Sequence, residues 1–473
     1  MTDGVISRDK PRPPASVTNM GLNTIALGCL LVMLAYLRYR HQLYGTGPGQ
    51  LPRQSEILLL LGSVAIPVVF MDIVVLKVHR RATTGLDWVA APSFDLGRVV
   101  TKLLGLGLTL GVIALAYWAF SEYHGSFYDP FYAALRRFWL PLVIAAVGYV
   151  SIVDGQMVAP RDAYWQLGRV VLLHPGDARA ADVANHFRSW LVKAYFIPLM
   201  VVWMHGEASK LISFDLAHAE WSNLRAYDFL YDLIFGVDLL FCTCGYILSF
   251  RVIDTHVRSA EPTMYGWVVA LFCYQPFYSL MEAQYVRYSQ DYGFGAWLGG
   301  APIAVRWLWA GAILALITIY SLGTVAFGVR FSNLTHRGIL TNGPYRFTKH
   351  PAYVTKNLSW WLVSVPFVPH TGIIDAIRHS LLLGCVNSIY FFRAKTEEAH
   401  LSRDPTYVEY ALWMNDHGAL RFLGRWFPVL RYKAPPSYVA PLKAPLPPTT
   451  EPSGPSKTAP PTAPPAEQQP SAT

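Results

Sequence analysis

The chain has 473 residues, of which 53% are hydrophobic and only 15% are charged, and its formal net charge is +9. A soluble protein carries about 25% charged residues. The apolar residues are also gathered in long blocks, so composition excludes a soluble enzyme, a disordered protein and a small disulfide-stapled scaffold. The basic residues flank apolar segments without interleaved stacking aromatics, which argues against nucleic-acid binding. We therefore expect an all-α, polytopic membrane protein in contact with membrane lipids.

Ten apolar segments have lengths at or near the requirement for crossing a bilayer. They predict about ten transmembrane helices, at roughly 20–37, 56–76, 99–120, 138–154, 188–205, 226–250, 264–281, 306–327, 357–369 and 373–392. The ninth segment is short, contains Pro366 and ends at Pro369. We interpret the last two segments as a helical hairpin.

The distribution of positive charge predicts the orientation in the membrane. The link 328–356 contains five Lys or Arg residues and no acid, which places it in the cytoplasm. Counting spans from there places both termini in the cytoplasm as well. The first loop, with Arg38, Arg40 and Arg53, runs against this scheme.

The sequence divides into four parts by composition. Residues 1–19 form a polar N-terminal tail, and residues 20–300 form a transmembrane domain whose role the sequence does not assign. Residues 301–433 form a C-terminal module, and residues 434–473 form a Pro-rich tail. Such a tail cannot bury enough apolar surface to fold, so we expect it to be disordered.

Four acidic residues lie at or near membrane depth in the predicted spans: Asp72, Asp228, Asp232 and Asp238. Ionisable residues in a membrane are costly, so each is a candidate functional residue. Asp228 and Asp232 are one helical turn apart and share a face. For Asp232 and Asp238 two interpretations stay open, namely structural pairing with Lys or Arg and a direct role with a substrate.

The residues that indicate chemistry lie between 338 and 411. A Gly-Pro turn at 343–344 precedes His350-Pro351, and proline is favoured at the first position of a helix. After the hairpin, Arg393 and Glu397 lie at i and i+4, on one helix face. A pocket here holds both signs of charge beside aromatic rings. It suits a zwitterionic, nucleotide-like ligand whose reactive end meets a molecule dissolved in lipid.

The four motifs around this hairpin, taken together, resemble the isoprenylcysteine carboxyl methyltransferase (ICMT) family. They are Gly343-Pro344-Tyr345-Arg346, Lys349-His350-Pro351-x-Tyr353, Arg393-x-x-x-Glu397-Glu398 and Tyr407-x-x-Tyr410. The resemblance covers roughly residues 305–425, under a third of the chain. Phospholipid N-methyltransferases share the pattern.

The resemblance implies a membrane-embedded methyltransferase that uses S-adenosyl-L-methionine in a pocket facing the cytoplasm. It implies a lipid or lipidated, isoprenylcysteine-like acceptor, and carboxyl O-methylation is favoured over phospholipid N-methylation. It assigns catalytic roles to Arg393, Glu397 and His350, and it implies no metal. The implied cofactor contacts are Leu340, Gly343, Tyr345, Arg346, His350, Pro351, Tyr353, Glu397 and Glu398.

The chain departs from the family pattern at three places. Lys349 replaces the usual arginine before His-Pro, Thr355 stands where glycine is frequent, and Lys356-Asn357 stands where an apolar or aromatic residue is common. Lys356 is either an anchor that extends to the membrane surface or a contact for the substrate. These departures concern the acceptor more than the cofactor.

Two other functions compete with this interpretation. Sterol reductases hold NADPH with a similar Arg-His-Pro-x-Tyr segment followed by Arg-x-x-Arg-Asp-Glu. Here Thr396 and Glu397 stand where that pattern has Arg and Asp, which favours the methyltransferase. The non-enzymatic alternative is a transporter that uses Asp228, Asp232 and Asp238 as a polar path.

Overall fold

The computed structural model describes residues 13–45, 47, 49–215, 224–289 and 292–438. The predicted disordered tail from residue 439 onward and the first twelve residues lie outside this part. The described chain is almost entirely helical. Its only strands are β1 (Ser259–Ala260) and β2 (Thr335–His336), which pair antiparallel with Ser259 opposite His336.

Fifteen α-helices occur in the described residues. In chain order they are α1 (Met20–Tyr44), α2 (Arg53–Val74), α3 (Leu96–Ala119), α4 (Asp129–Gln156), α5 (Ala163–Val171), α6 (Ala180–Ser213), α7 (Arg225–Ile247), α8 (Met264–Leu271), α9 (Phe277–Gln284), α10 (Phe294–Trp297), α11 (Ile303–Phe327), α12 (Pro351–Ser364), α13 (Ile373–Leu401), α14 (Pro405–His417) and α15 (Leu423–Trp426).

Seven helices of the described chain are long and apolar enough to cross a membrane, namely α1 to α4, α6, α7 and α11. The polytopic helical fold is therefore confirmed, whereas the predicted count of about ten spans is not. The predicted continuous span 264–281 is wrong, because it contains α8 and α9 with a break between them. Pro276 lies just before α9, and proline has no N–H with which to continue a helix.

The predicted hairpin corresponds to α12 and α13, joined by residues 365–372. α12 has only 14 residues, about 21 Å of helix, which is short for a bilayer. α13 has 29 residues, and polar side chains occupy its C-terminal third.

The core forms where α1, α2, α6 and α7 meet. The inward face of α1 repeats at helical spacing, with Ala26, Leu30, Leu34 and Leu37 buried. Phe241 of α7 lies fully buried in the same cluster. α7 also packs against α11, so it connects this core to the C-terminal helices.

Several buried charges in the helical bundle form ion pairs. Asp72 of α2 forms a 2.8 Å ion pair with Arg330, and both side chains are buried. Asp154 of α4 pairs with Arg98 at 2.7 Å and Lys102 at 2.8 Å, both from α3. Unpaired charge would be costly at these depths, so we assign these groups a structural role.

Asp238, Asp232 and Asp228 lie along α7 and have different surroundings. Asp238 is buried and accepts hydrogen bonds from Tyr320 Oη at 2.8 Å and from Thr324 Oγ1. Asp228 is exposed and Asp232 is half-buried, one turn further along. The carboxylate of Asp238 is therefore satisfied by hydroxyl groups and forms no direct ion pair among the described residues.

Residues 13–18 form an extended segment, here called the N-terminal strap, that lies against the segment from 324 to 342. Val17 N donates to Ile339 O at 3.1 Å, and Thr341 Oγ1 donates to Pro14 O at 2.7 Å. Thr18 Oγ1 donates to Ala326 O at 2.8 Å. Residues up to Ala434 form one compact unit, and the boundary proposed near residue 300 stays a prediction.

Candidate active site

A cavity lies between the C-terminal helices, with about 980 Å³ of empty space when its open mouth is included. Its walls come from α11, α12, α13, the segment 331–335 and residues of α8 and its surroundings. Described residues with polar or aromatic side chains on these walls are Glu261, Tyr274, Tyr320, Thr324, Phe327, Phe331, Ser332, Asn333, Thr335, Tyr345, Lys349, His350, Tyr353, Lys356, Tyr390, Arg393, Thr396, Glu397 and His400.

Helical spacing explains why these side chains converge. On α13, Tyr390, Arg393, Glu397 and His400 follow one another at intervals of three or four residues, so they share one face. His350 caps the start of α12 and Pro351 occupies its first turn, as the sequence predicted.

Arg393 is buried at the centre of the cavity wall. Its Nη2 donates to Asn333 Oδ1 at 2.5 Å and to Tyr274 Oη at 3.3 Å. Its guanidinium carbon lies 5.1 Å from the centre of the Tyr353 ring and 5.2 Å from that of Tyr274. These contacts fix the orientation of a permanent positive charge without neutralising it.

Glu397 lines the cavity and is oriented by a neighbouring helix. Tyr353 Oη donates to Glu397 Oε2 at 2.6 Å. The Tyr353 ring in turn stacks on His350, with ring centres 5.4 Å apart and planes tilted by 10°. One carboxylate oxygen of Glu397 therefore already accepts a hydrogen bond, and the remaining acceptor sites of the carboxylate are available to a ligand.

Glu398, the next residue, contacts three basic side chains and does not line the cavity. It contacts Lys349 at 2.5 Å, Lys395 at 2.9 Å and His350 Nε2 at 3.3 Å. Burial by itself raises the pKa of a carboxyl group, but His350 and Lys349 outweigh burial and hold the pKa of Glu398 well below its usual range. Glu398 therefore holds α12 and α13 together as an anion.

The structure brings half of the predicted site residues to the cavity. Tyr345, His350, Tyr353, Arg393 and Glu397 line it. Within the described chain, the remaining predicted contacts are not on its walls, and these are Leu340, Gly343, Arg346, Pro351 and Glu398.

These other predicted contacts have identifiable positions. Leu340 is buried, Arg346 is exposed, and Gly343 adopts a positive φ of 54° at the start of a 3₁₀ turn. Of the two motif tyrosines in α14, Tyr410 donates to the backbone oxygen of Tyr345 at 2.7 Å. Tyr407 is buried, so both tyrosines pack α14 against the site.

Sequence reasoning did not single out several residues of the cavity wall. Asn333 donates to Tyr274 Oη at 2.8 Å and to Tyr246 Oη at 2.7 Å. Asn333 and Tyr274, the two hydrogen-bond partners of Arg393, are thus also bonded to each other. His400 Nε2 lies 2.9 Å from Ser259 Oγ, and His400 Nδ1 lies 3.8 Å from Glu261 Oε2. No local motif marks these positions, apart from the helical interval between His400 and Glu397.

The C-terminal region, which forms most of this cavity, is similar to one known protein family. Residues 304–403 match the isoprenylcysteine carboxyl methyltransferase (ICMT) family. No curated protein and no solved structure matches the chain significantly. The ICMT match begins one residue before the predicted resemblance and ends before α14, and it confirms that resemblance.

The ICMT match places every charged residue of the cavity except Glu261 inside one region. α12 and α13 and all but the first residue of α11 fall within it, together with the link that carries Tyr345, Lys349 and His350. The family indicates a membrane methyltransferase. Together with seven apolar helices, it indicates an integral membrane protein.

Proposed function

We propose that this protein is an S-adenosyl-L-methionine-dependent methyltransferase that modifies a lipid or lipidated, isoprenylcysteine-like acceptor at a carboxylate. The observation that carries the proposal is the arrangement of Arg393 and Glu397 on one face of α13, inside a cavity of the ICMT region. Carboxyl O-methylation is preferred to phospholipid N-methylation.

The donor set of the cavity fits the proposed cofactor. S-adenosylmethionine supplies an electrophilic methyl group when bound, and its tail carries both an amino group and a carboxylate. Glu397 can accept from the amino or hydroxyl groups, and Arg393 can pair with a carboxylate. Thr335 Oγ1 is a buried wall hydroxyl with no hydrogen-bond partner among the described residues, which is consistent with a polar ligand here.

The remaining wall residues exclude water and orient the reactants. Phe327, Phe331 and Tyr345 present aromatic surface, and the Phe327 and Tyr345 rings meet edge to face at 5.5 Å. A dry, shaped site favours transfer to an anionic nucleophile, because charge is neutralised as the reaction proceeds. One ring nitrogen of His350 contacts Glu398, which makes His350 less available as the base that an amine acceptor needs, whereas a carboxylate acceptor needs no base.

The proposal includes an orientation for the protein. The motif link between α11 and α12 is rich in Lys and Arg, so we place it and the mouth of the cavity in the cytoplasm. The N-terminal strap and α14 are both hydrogen-bonded to this link, so we place both termini on the same side. The acceptor would then reach the cavity from the cytoplasmic leaflet.

Cofactor binding to the detergent-purified full chain tests the proposal. S-adenosylmethionine, S-adenosylhomocysteine and NADPH are titrated in parallel by calorimetry, with Glu397→Gln as the test variant. We expect only the two adenosyl compounds to bind, and Glu397→Gln to weaken both by about tenfold or more, because hydrogen bonds to charged groups contribute about 1.5–3 kcal/mol. Glu409→Gln, at an exposed position on α14, is the matched control.

The other outcomes of this titration separate the competing functions. Binding of NADPH alone would move the assignment to a sterol-reductase-like oxidoreductase. Binding of none of the three would favour the transporter, for which acid-to-amide changes along α7 should abolish flux.

A further inference from the structure

Lys356 lies on the cavity wall and is not one of the proposed cofactor contacts. It lies on α12 six residues after His350, about 9 Å further along the helix axis. Its Nζ sits 5.4 Å from the centre of the Tyr320 ring and 5.3 Å from that of Trp360. A third ring, that of Tyr390, lies 5.8 Å away.

The ammonium group of Lys356 lacks a direct anionic partner among the described residues. Asp238 is the acidic group that most stabilises the charge of Lys356, but the carboxylate of Asp238 already accepts hydrogen bonds from Tyr320 and Thr324. Aromatic rings stabilise a cation without accepting its three hydrogen bonds. A half-buried ammonium on a cavity wall with unused donors is suited to an anionic ligand.

A second cation lies near the same ring. The guanidinium carbon of Arg393 is 6.0 Å from the centre of the Tyr390 ring, on which Lys356 also packs. Glu397, by contrast, lies four residues after Arg393 on α13, about 6 Å further along the helix axis. The cavity therefore has a mixed-charge end at Glu397 and His350 and a cationic end at Lys356.

We propose that Lys356 binds the anionic head group of the acceptor, with Arg393 adding to the positive potential beside it, and that Lys356 thereby determines which acceptors are used. The inference rests on the proposed function for the identity of the reaction. The binding site itself is defined by the two cations and the three rings. Lys356 is a specificity residue in this assignment, because its side chain lines the cavity.

The test measures acceptor binding directly, with the full-length protein in detergent and no methyl donor present. Three probes are compared by equilibrium dialysis: N-acetyl-S-farnesylcysteine with a free carboxylate, its carboxamide, and dodecyl phosphate. We expect the wild type to bind the carboxylate at least about tenfold more tightly than the carboxamide. Lys356→Met keeps the length of the side chain and should abolish that preference, and Lys356→Arg should retain part of it.

The phosphate probe identifies the source of the anion. Tighter binding of dodecyl phosphate than of the carboxylate, lost in Lys356→Met, would support the anion site and assign it to a phospholipid head group. An equal affinity of the wild type for the acid and the amide would overturn the inference. So would a preference that persists in Lys356→Met.

Donor binding is measured separately on the same variants. The Lys356 variants should bind S-adenosylmethionine as the wild type does, and this also shows that they are folded. Lack of donor binding by the wild type would contradict the proposed function, whereas an unchanged acid preference in Lys356→Met would contradict only the present inference.

Discussion

Glu397 and Glu398 are adjacent on α13 but have different roles because of helix geometry. Successive residues are rotated by about 100°, so one carboxylate faces the cavity and the other faces α12. Glu397 meets one hydroxyl group, from Tyr353, whereas Glu398 meets two ammonium groups and an imidazole. Glu397 can therefore bind a ligand, whereas Glu398 stabilises the packing of α12 against α13.

At the residue scale, we predict that Glu398→Gln lowers stability at neutral pH by about 3 kcal/mol. Removing one partner of a buried ion pair leaves the other charge uncompensated, and here the stranded partner is Lys349. Because the pKa of Glu398 is depressed in the folded protein, its contribution is present above the unfolded pKa, about 4.3, and is lost as the pH falls.

Thermal unfolding in detergent, followed from pH 7 down to pH 3, measures this effect. The difference between Glu398→Gln and the wild type should narrow on acidification. Lys395→Gln is the matched control, since Lys395 is more exposed than Lys349 and its loss should cost less than about 1 kcal/mol. An equal loss in both variants would mean that Glu398 is not the anchor between α12 and α13.

At the scale of elements, apolar length predicted where most helices lie but not where they end. The predicted segment 138–154 lies inside α4, and 188–205 lies inside α6, which reaches Asp182 and Lys210 at its ends. Charged residues lower hydropathy without breaking a helix. The break between α8 and α9 was missed for the opposite reason, since residues 271–278 around Pro276 are apolar or aromatic apart from Gln275.

The packing of α3 on α5 gives a prediction about elements. A Cβ atom at Gly168 of α5 would overlap the carbonyl oxygen of Thr101 on α3, and one at Gly105 would overlap that of Tyr164. Small residues let helix backbones approach in this way. We therefore expect Gly168→Ala to destabilise the protein by about 1–3 kcal/mol through overpacking.

Gly111→Ala, also on α3, is the control for this substitution, because a Cβ there meets nothing within 4 Å. Alanine favours a helix over glycine by about 1 kcal/mol, so the control should be neutral or slightly stabilising. Melting temperatures in detergent compare the two. A neutral Gly168→Ala would show that the two helices separate without cost.

At the scale of the whole molecule, long-range contacts complete the site. Asn333 reaches Tyr274, 59 residues away, and Arg393 reaches Tyr274 across 119 residues. The motifs around the hairpin predicted Arg393, Glu397 and His350 because helical spacing and a His-Pro helix start are local signals. The supports of Arg393 carry no such signal, so the sequence could not identify them.

The N-terminal strap gives the prediction for the whole chain. A protein that begins at residue 19 loses the hydrogen bonds of the strap to Ile339, Thr341 and Ala326. Each bond contributes about 0.5–1.5 kcal/mol, so we expect a loss of a few kcal/mol together with weaker S-adenosylmethionine binding. Unfolding temperature and calorimetry measure the two effects.

A protein that ends at residue 439 is the matched truncation. We expect it to retain the stability and cofactor binding of the full chain, because the Pro-rich segment that is removed does not have the composition of a packed structure. If both truncations behave alike, the strap contributes nothing to the site.

The strap also has a consequence for biosynthesis. Arg81 Nη1 donates to Val17 O from only 64 residues away, but Ala326, Ile339 and Thr341 follow the strap by 308 to 327 residues in the chain. At translation rates of about 5–20 residues per second, these later partners leave the ribosome roughly 15 to 65 seconds after the strap. The nascent protein therefore carries a partly unsatisfied segment through most of its synthesis, and the cavity can be completed only after the last helices have been inserted.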